Sequence, residues 1–282
     1  LLGQGTIYPD TIETGGTKRA QTIKTHHNRV PIIEEMIQAG KVVEPLADLY
    51  KVEVRELGER MGIEHQALWR HPFPGPGLGV RLLCSDGTQD TEGFEDLIPQ
   101  TEAIAESYGL QACLLPIRSV GVKADVRAYE HPVLLSGDVP WDTLIAAVSS
   151  LTAKVPGINR CVWNVDEGHP NQARAVEGRV TRARLDILRE ADAIVMDALR
   201  DHGVYNDVWQ CPTVLAPLAL GDSDGETIIL RPVHSARAMT ATPVQLPTDL
   251  LREVCAAILD LDGISGLALD VTSKPPGTIE WE

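Results

Sequence analysis

Residues 141–165, WDTLIAAVSSLTAKVPGINRCVWNV, contain a helical pattern of apolar residues, then a Gly-Ile turn, then an apolar strand pattern. The same order recurs in residues 248–271, TDLLREVCAAILDLDGISGLALDV, with the Gly-Ile pair and the closing valine displaced by 106 residues. IRSVGV (117–122) precedes the first copy, LRPVHS (230–235) precedes the second, and both are typical of strands. We predict two related α+β submodules, at about 110–170 and 225–282. The alternative is that two unrelated helix-to-strand connections look alike.

The first 80 residues follow a different pattern. Helix-forming residues in IIEEMIQAG (32–40) and DLYKVEVRELGERMG (48–62) each end at a glycine, which favours helix termination, and VVEPL (42–46) between them predicts a short strand. HPFPGPGLG (71–79) excludes both a helix and a central strand, because it holds three prolines and three glycines. We predict that this loop separates a domain over 1–80 from a domain over 81–282, and that the fold combines α/β and α+β parts.

The amino-acid composition limits the classes of protein to which the chain can belong. A chain of 282 residues with 43% hydrophobic and 23% charged residues can bury a core, and a net charge of −15 argues against nucleic acid as a partner. A small anion could still bind in a local basic pocket. The five single cysteines indicate neither a disulfide framework nor a zinc site. We find no transmembrane helix and no signal peptide, and expect a cytoplasmic protein with no membrane partner.

Candidate catalytic residues lie near the start of the chain. Carboxylates hold magnesium, and lysine and histidine neutralise phosphate oxygens, so these residue types fit nucleotide transfer. The carboxylates are three residues apart in YPDTIE (8–13) and the basic residues lie in IKTHHN (23–28); the candidates are Asp10, Glu13, Lys24, His26 and His27. The alternatives are favourable charge at a helix N-terminus for the carboxylates and an ordinary surface position for the histidines.

The terminal stretch KPPGTIEWE (274–282) is unusual for a tail, because two prolines stiffen it and apolar residues sit between its charges. Together with GQGTIYPD, IKTHHN, KVVEPLADLYKVEVR, RHPFPGPGLGVR, LLPIRSVGV and MTATP, in that order, it closely resembles the carboxy-terminal half of glutamine-hydrolysing GMP synthases. The repeat and QCPTVLAPL (210–218) resemble the long, animal-like form of that family. Leu1 is not a methionine and GQGTIYPD reads like the middle of a domain, so we expect a fragment.

The resemblance implies a fold and an activity. The fold would be the lid and C-terminal helices of a Rossmann-like ATP-pyrophosphatase domain, of the adenine nucleotide alpha hydrolase-like type, followed by the GMP synthase C-terminal domain. The activity would be a ligase reaction of purine biosynthesis: ATP and Mg²⁺ activate xanthosine monophosphate (XMP) as an adenylated intermediate, and ammonia from a glutamine amidotransferase displaces AMP to give GMP.

The resemblance also implies roles for particular residues. Asp10 and Glu13 would serve the metal, and Lys24, His26 and His27 would close over the ATP phosphates. The monophosphate would contact the GPG loop, the KADVRAY stretch (123–129), the glutamine of QCPTVLAPL and the tail; these residues are Gly75, Pro76, Gly77, Asp125, Arg127, Gln210, Lys274, Thr278, Ile279 and Glu280. The alternatives are surface salt bridges, a capped loop, a plain connector, and a tail that only docks through Ile279 and Trp281.

The sequence also departs from the family pattern. It contains neither an amidotransferase region nor an SGGxDS loop, TGGTKR (14–19) does not replace that loop, and SARAMT carries Arg237 where an acidic residue is common. We therefore expect this chain to be inactive alone. A non-catalytic purine monophosphate-binding module or truncated paralogue is the alternative, and an NAD synthetase is disfavoured because it leaves KPPGTIEWE unexplained. The repeat predicts a monomer or weak dimer, because the second module can cover an apolar face that a partner would otherwise cover.

Overall fold

The computed structural model describes residues 1–12, 30–123, 126–166, 172–236 and 239–282. The chain divides into two compact units, Leu1–Arg70 and His71–Glu282, close to the loop at which we predicted a domain boundary. The predicted residues that lie outside the described part are Glu13, Lys24, His26, His27, Asp125 and Arg237.

The first unit contains short elements. They are β1 (Leu2–Gly3), α1 (Tyr8–Ile12), α2 (Pro31–Gln38), β2 (Val42–Val43), α3 (Lys51–Arg60) and α4 (His65–Leu68). Proline stands at the first position of α2, where its missing N–H costs nothing, and Gly40 follows the helix with φ of 65°. The two predicted helices and the strand in VVEPL are thus present, and β2 pairs with β1 in parallel.

The second unit contains the large sheet. Its elements are a 3₁₀ helix (Gly77–Arg81), β3 (Ser85–Asp86), α5 (Phe94–Ser107), β4 (Gln111–Leu114), β5 (Ser119–Lys123), β6 (Val126–Ser136), α6 (Trp141–Lys154), β7 (Ile158–Asn164), β8 (Ala173–Ala175), β9 (Glu177–Gly178), α7 (Arg182–Asp201), β10 (Thr213–Ala216), β11 (Leu218–Leu220), β12 (Glu226–Leu230), β13 (Val233–His234), β14 (Thr242–Pro243), α8 (Thr248–Leu259) and β15 (Ile264–Asp270). The 3₁₀ helix corrects our prediction that HPFPGPGLG excludes helix: one tight turn fits after its last proline, Pro76.

The sheet has the same arrangement on both sides of its centre. Its strand order is β10-β12-β15-β7-β6-β4. β5 lies off this order and pairs with the first five residues of β6, Val126 to Glu130. The two central strands are antiparallel, with Trp163 opposite Leu269, and β6 and β12 run parallel to their central neighbours. Each half has the order helix, strand, strand, helix, strand. This mixed sheet makes the second unit an α+β fold.

The predicted helix, Gly-Ile turn and strand are found in both copies. Gly157 and Gly263 both have a positive φ, of 99° and 83°, which explains why each turn uses glycine. One detail was wrong: the strand that leads into α6 is β6, whereas IRSVGV forms β5 beside it. In the second copy, β12 ends at the first residue of LRPVHS.

Both faces of the sheet are buried, which explains why apolar residues predominate in its strands. Leu267 and Leu269 belong to the core that contains residues of α5, α6, α7 and α8, whereas Ala268 belongs to a second core. That second core includes Leu218 of β11 and the tail residue Trp281. The tail is therefore part of the packing. No helix in the described residues is long and apolar enough to cross a membrane.

The core makes a prediction about stability. Val254 on α8 is fully buried, so Val254→Ala should lower the free energy of unfolding by roughly 2 kcal/mol through lost burial and an added cavity. Val180→Ala makes the same change at a side chain that is 63% exposed and should cost less than about 0.5 kcal/mol. Urea unfolding checks both values, and equal losses would contradict the assignment of α8 to the core.

Candidate functional site

The tail, residues 272–282, lies along β5. The Val120 N–H donates to the Trp281 carbonyl at 3.0 Å, and the Val122 N–H donates to the Pro276 carbonyl at 2.7 Å. Lys274 exchanges two backbone hydrogen bonds with Ala241, at 2.8 and 3.1 Å. Ile279 and Trp281 are buried, as the docked-tail alternative expects. Docking and ligand binding are compatible, because the same geometry fixes the intervening polar side chains.

A fully buried carboxylate between two fully buried guanidinium groups lies beneath the tail. Asp270 ends β15, and its Oδ2 accepts from Arg160 Nη1 at 2.5 Å while its Oδ1 accepts from Arg231 Nη1 at 2.6 Å. Arg160 comes from β7, and Arg231 follows β12. The Asp270 Oδ1 also accepts from the Thr272 N–H at 3.0 Å, where the tail begins. We call Arg160, Asp270 and Arg231 the buried triad.

The triad carries one positive charge more than it neutralises. Burial raises the pKa of Asp270, but the guanidinium groups of Arg231 and Arg160 outweigh it and hold that pKa below its usual range. Burial lowers the pKa of Arg231 to about 10, in spite of the attraction of Asp270. In the described part of the chain, Arg231 Nε and Nη2 have no hydrogen-bond partner. The site therefore favours a further negative charge.

Lys274 adds a second positive charge beside Arg231. Its side chain is half-buried, and burial together with repulsion from Arg231 lowers its pKa. The Cα of Gly277 lies close by, since a Cβ there would be 3.5 Å from Arg231 Nη2. Arg160, Arg231 and Lys274 thus lie close together in a chain whose net charge is −15. This local reversal of sign is what an anion site requires.

Glu280 and Gln210 come together at the other end of the tail. Arg81 is buried and donates from Nε and Nη2 to Glu280 at 3.3 and 3.2 Å, and Gln210 Nε2 donates to Glu280 Oε1 at 3.4 Å. Thr278 Oγ1 donates to the Val120 carbonyl at 2.9 Å. The structure therefore brings Gln210, Thr278 and Glu280 to one place, although they are distant in sequence.

The GPG loop connects to this place through Arg81. Gly77 has a φ of 70°, and a Cβ there would lie 3.9 Å from the ring of Phe73. The Phe73 ring in turn lies 5.1 Å from the Arg81 guanidinium, which holds Glu280. Arg127 is exposed on β6 opposite Val122, the residue whose N–H holds the tail. Among the described residues, the link between Arg127 and the tail is this backbone pairing.

Of the five residues predicted to act on ATP and the metal, Asp10 is the one that the structure describes. Asp10 lies in α1, where its Oδ2 accepts from the Ile7 N–H at 3.0 Å, so it stabilises the helix start as the alternative interpretation proposed. The other four lie outside the described part. Within the described residues there is no group of three or more His, Cys, Asp or Glu side chains that could hold a metal ion.

A cavity of about 370 Å³ lies elsewhere in the described residues. It is lined by α5, β4 and β8, including Thr101, Cys113 and Arg174, and by none of the predicted site residues. The candidate site rests instead on the charged side chains beneath and within the tail.

Sequence reasoning missed the residues that hold the site together: Arg81, Arg160, Arg231 and Asp270. A signal was present for three of them. Arg160, Arg231 and Asp270 interrupt or directly follow strand patterns that are otherwise apolar, and charged residues are rarely buried without a partner. The sequence could have marked them as a buried network, but not which pairs form.

The fold and site define an α+β domain whose C-terminal tail docks over a buried cluster of arginines. A family model for the GMP synthase C-terminal domain matches residues 197–281. The probable GMP synthase [glutamine-hydrolyzing] of Leptospira interrogans is 44% identical over 288 residues, covering 100% of this chain and 47% of that protein. The corresponding proteins of Caenorhabditis elegans and Dictyostelium discoideum are 33% and 30% identical, with 100% and 99% of this chain and 48% and 46% of theirs covered.

The chain belongs to the GMP synthase family and corresponds to its carboxy-terminal part. It spans about half the length of the relatives it matches. The resemblance inferred from RHPFPGPGLGVR and KPPGTIEWE is thereby confirmed.

The docked tail makes a prediction. A Cβ at Gly121 would lie 2.7 Å from the Pro276 carbonyl and 2.9 Å from the side chain of buried Asn159, so Gly121→Ala should push the tail off β5. Hydrogen exchange of the amides of residues 274–282 should become roughly tenfold faster or more. Gly79→Ala, where nothing lies within 4 Å of the new Cβ, should leave exchange unchanged. Equal protection of the tail in both variants would contradict this docking.

Proposed function

We propose that this chain is part of the synthetase portion of a GMP synthase, and that it binds the XMP that is aminated to GMP. The observation that carries the proposal is the concentration of positive charge around Arg231 and Lys274. It lies at the tail, to which the resemblance to GMP synthases gives a role in binding the monophosphate. A phosphate monoester carries close to two negative charges at pH 7, so this concentration of basic groups would attract it.

The tail side chains have suitable chemistry for a nucleoside monophosphate. Lys274 would neutralise the phosphate, and Thr278 would add a hydroxyl and a backbone donor. Gln210 and Glu280, already in contact, would read the ribose or the purine edge, because an amide both donates and accepts. The GPG loop (Gly75, Pro76 and Gly77), Asp125, Arg127 and Ile279 stay in the proposed set on the strength of the resemblance.

The ATP side of the proposal rests on the resemblance. ATP and Mg²⁺ would activate the C2 oxygen of XMP as a better leaving group, and ammonia from a glutamine amidotransferase would displace AMP. Asp10 and Glu13 would serve the metal; Lys24, His26 and His27 would serve the phosphates. We place the Rossmann-like ATP-pyrophosphatase part in residues 1–80.

We also propose that the second unit arose by duplication of an α+β module, as in the long form of the family. The matching strand order on either side of β7 and β15 supports this, because two unrelated connections need not share an arrangement. A central pairing within one chain takes the place of a pairing between two chains, so we propose a monomer or weak dimer. The remaining alternative is a purine monophosphate-binding module without chemistry.

Replacing Lys274 tests the proposed phosphate site. Lys274→Ala should weaken XMP binding by roughly 1.5 to 3 kcal/mol, the range for a hydrogen bond to a charged group, or about 10- to 150-fold. Lys274→Arg keeps the charge and is the matched control. Isothermal calorimetry at pH 7 measures the affinities, and an Ala variant within twofold of the unchanged chain would remove the tail from the site.

The lowered pKa of Lys274 predicts a pH dependence. A bound dianion favours the charged lysine, so binding should take up a proton once the pH exceeds the pKa of Lys274 in the free protein. Affinity for XMP should therefore fall as pH rises through that pKa. It should also fall below about pH 6, where the phosphate loses its second charge. Lys274→Arg should reduce the alkaline decrease and leave the acidic one unchanged, because Arg231, whose pKa burial lowers to about 10, still contributes. An unchanged alkaline decrease would assign it to another group.

A longer polypeptide tests the reaction. We expect no GMP from this chain with XMP, ATP, Mg²⁺ and ammonia, and GMP from a chain extended upstream to the length of its relatives. In the extended chain, Asp10→Ala should reduce adenylation of XMP but leave XMP binding unchanged, whereas Lys274→Ala should weaken binding. Chromatographic measurement of AMP and GMP gives the first result. XMP binding without GMP formation by the extended chain would favour the non-catalytic alternative.

A further inference from the structure

Arg160 links the sheet to the tail. From strand β7, its buried side chain places Nη2 within hydrogen-bond distance of the Thr278 carbonyl and Oγ1, both at 3.2 Å, and of the Glu280 carbonyl at 3.3 Å. The same nitrogen also lies 3.0 Å from the Val120 carbonyl on β5. Its Cζ lies 4.6 Å from the centroid of the Trp281 ring. One guanidinium nitrogen therefore lies between a residue of β5, Val120, and two tail residues, Thr278 and Glu280.

Asp270 fixes the orientation of that guanidinium. A single hydrogen bond of 2.5 Å to Nη1 leaves Nη2 directed at the tail. The exposed fraction of both side chains is zero, so neither can contact a ligand in the docked state. Apart from the charge that it carries, Arg160 can influence a bound monophosphate through the tail residues Thr278 and Glu280.

The ion pair joins the two copies of the repeat and occurs once. Under the shift of 106 residues, Arg160 corresponds to Gly266 and Asp270 corresponds to Asn164, so each copy supplies one partner. A Cβ at position 266 would lie 2.8 Å from Leu220 Cδ1, so a side chain there would require Leu220 to shift. Gly266 and Asn164 carry no charge, so the equivalent ion pair does not form. The chain has one such anchor for one tail.

We propose that Arg160, oriented by Asp270, is a positioning residue that holds the tail in its ligand-binding geometry before the monophosphate arrives. The inference rests on the proposed function for the identity of the ligand, but not for the effect on the tail. A preset tail loses little freedom on binding, so the benefit appears as affinity. Loss of Arg160 should then cost affinity although no contact with the ligand is removed.

Arg160→Met is the suitable change. It leaves Asp270 paired with Arg231 alone, a neutral pair, whereas replacing Asp270 would leave two buried positive charges unbalanced. Arg160→Lys keeps the charge but not the forked contacts, and serves if the methionine variant does not fold. The matched control is Arg184→Met with Glu226→Gln, which removes another nearly buried arginine and its carboxylate partner. Arg184 bonds to Glu226 and to the carbonyls of Arg179 and Leu83, and not to the tail, within the described residues.

The readouts are hydrogen exchange of residues 274–282, the melting temperature, and calorimetry with XMP. We expect both Arg160 variants to speed hydrogen exchange of the tail and to weaken XMP binding by tenfold or more. The control variant should change the tail exchange rate and the XMP affinity by less than twofold, at an equal loss of melting temperature. Tail exchange within twofold of the unchanged chain in a folded Arg160 variant would overturn the proposal. Equal effects in the control would also overturn it, by showing a global loss of stability.

The two proposals fail separately. If the unchanged chain does not bind XMP, the proposed function fails, while the exchange measurement on the ligand-free protein still decides the role of Arg160. If XMP binds and the Arg160 variants keep full affinity with a loosened tail, the positioning role is wrong and the function stands.

Discussion

A single buried carboxylate organises the second unit. Asp270 lies at the end of β15, a central strand. Its two oxygens bind the guanidinium groups of Arg160, on β7, and Arg231, which follows β12; these two strands flank β15. Such a group is stable away from water only when its charge is met by several donors with good geometry. The position of β7, the turn after β12 and the start of the tail are all constrained by that requirement. The apolar cores supply most of the stabilisation, while Asp270 determines how the polar parts are placed.

Charge is distributed unevenly in this protein, because a cluster of basic residues lies in an acidic chain. A chain with a net charge of −15 repels most anions at a distance, yet Arg160 and Arg231 lie beneath the tail that carries Lys274. Long-range repulsion is screened within about 10 Å at ordinary ionic strength, whereas buried groups are screened much less. The proposed site would therefore suit a small phosphate ester better than a polyanion, because the basic groups are confined to one place.

The sequence predicted α6, α8 and the strands after them, because their apolar period and the glycines at 157 and 263 are local signals. It also predicted a meeting of Gln210, Thr278 and Glu280, but only through resemblance to a family. It could not predict the pairing of Arg160 with Asp270, since 110 residues separate them and nothing local relates the two. Thr278 and Arg81 show the same limit: their partners are set by how the strands cross.

The long sequence separation in the tail contacts also matters during synthesis. Arg160 leaves the ribosome 120 residues before Glu280, and at about 5 to 20 residues per second this is an interval of roughly 6 to 24 s. Throughout it, β7 exists without the carbonyls and the indole that later surround its arginine, so the guanidinium must stay hydrated. The sheet can then collapse only partly around that strand. A nascent chain of this family is thus expected to expose its central strands for seconds, when binding by chaperones would protect it.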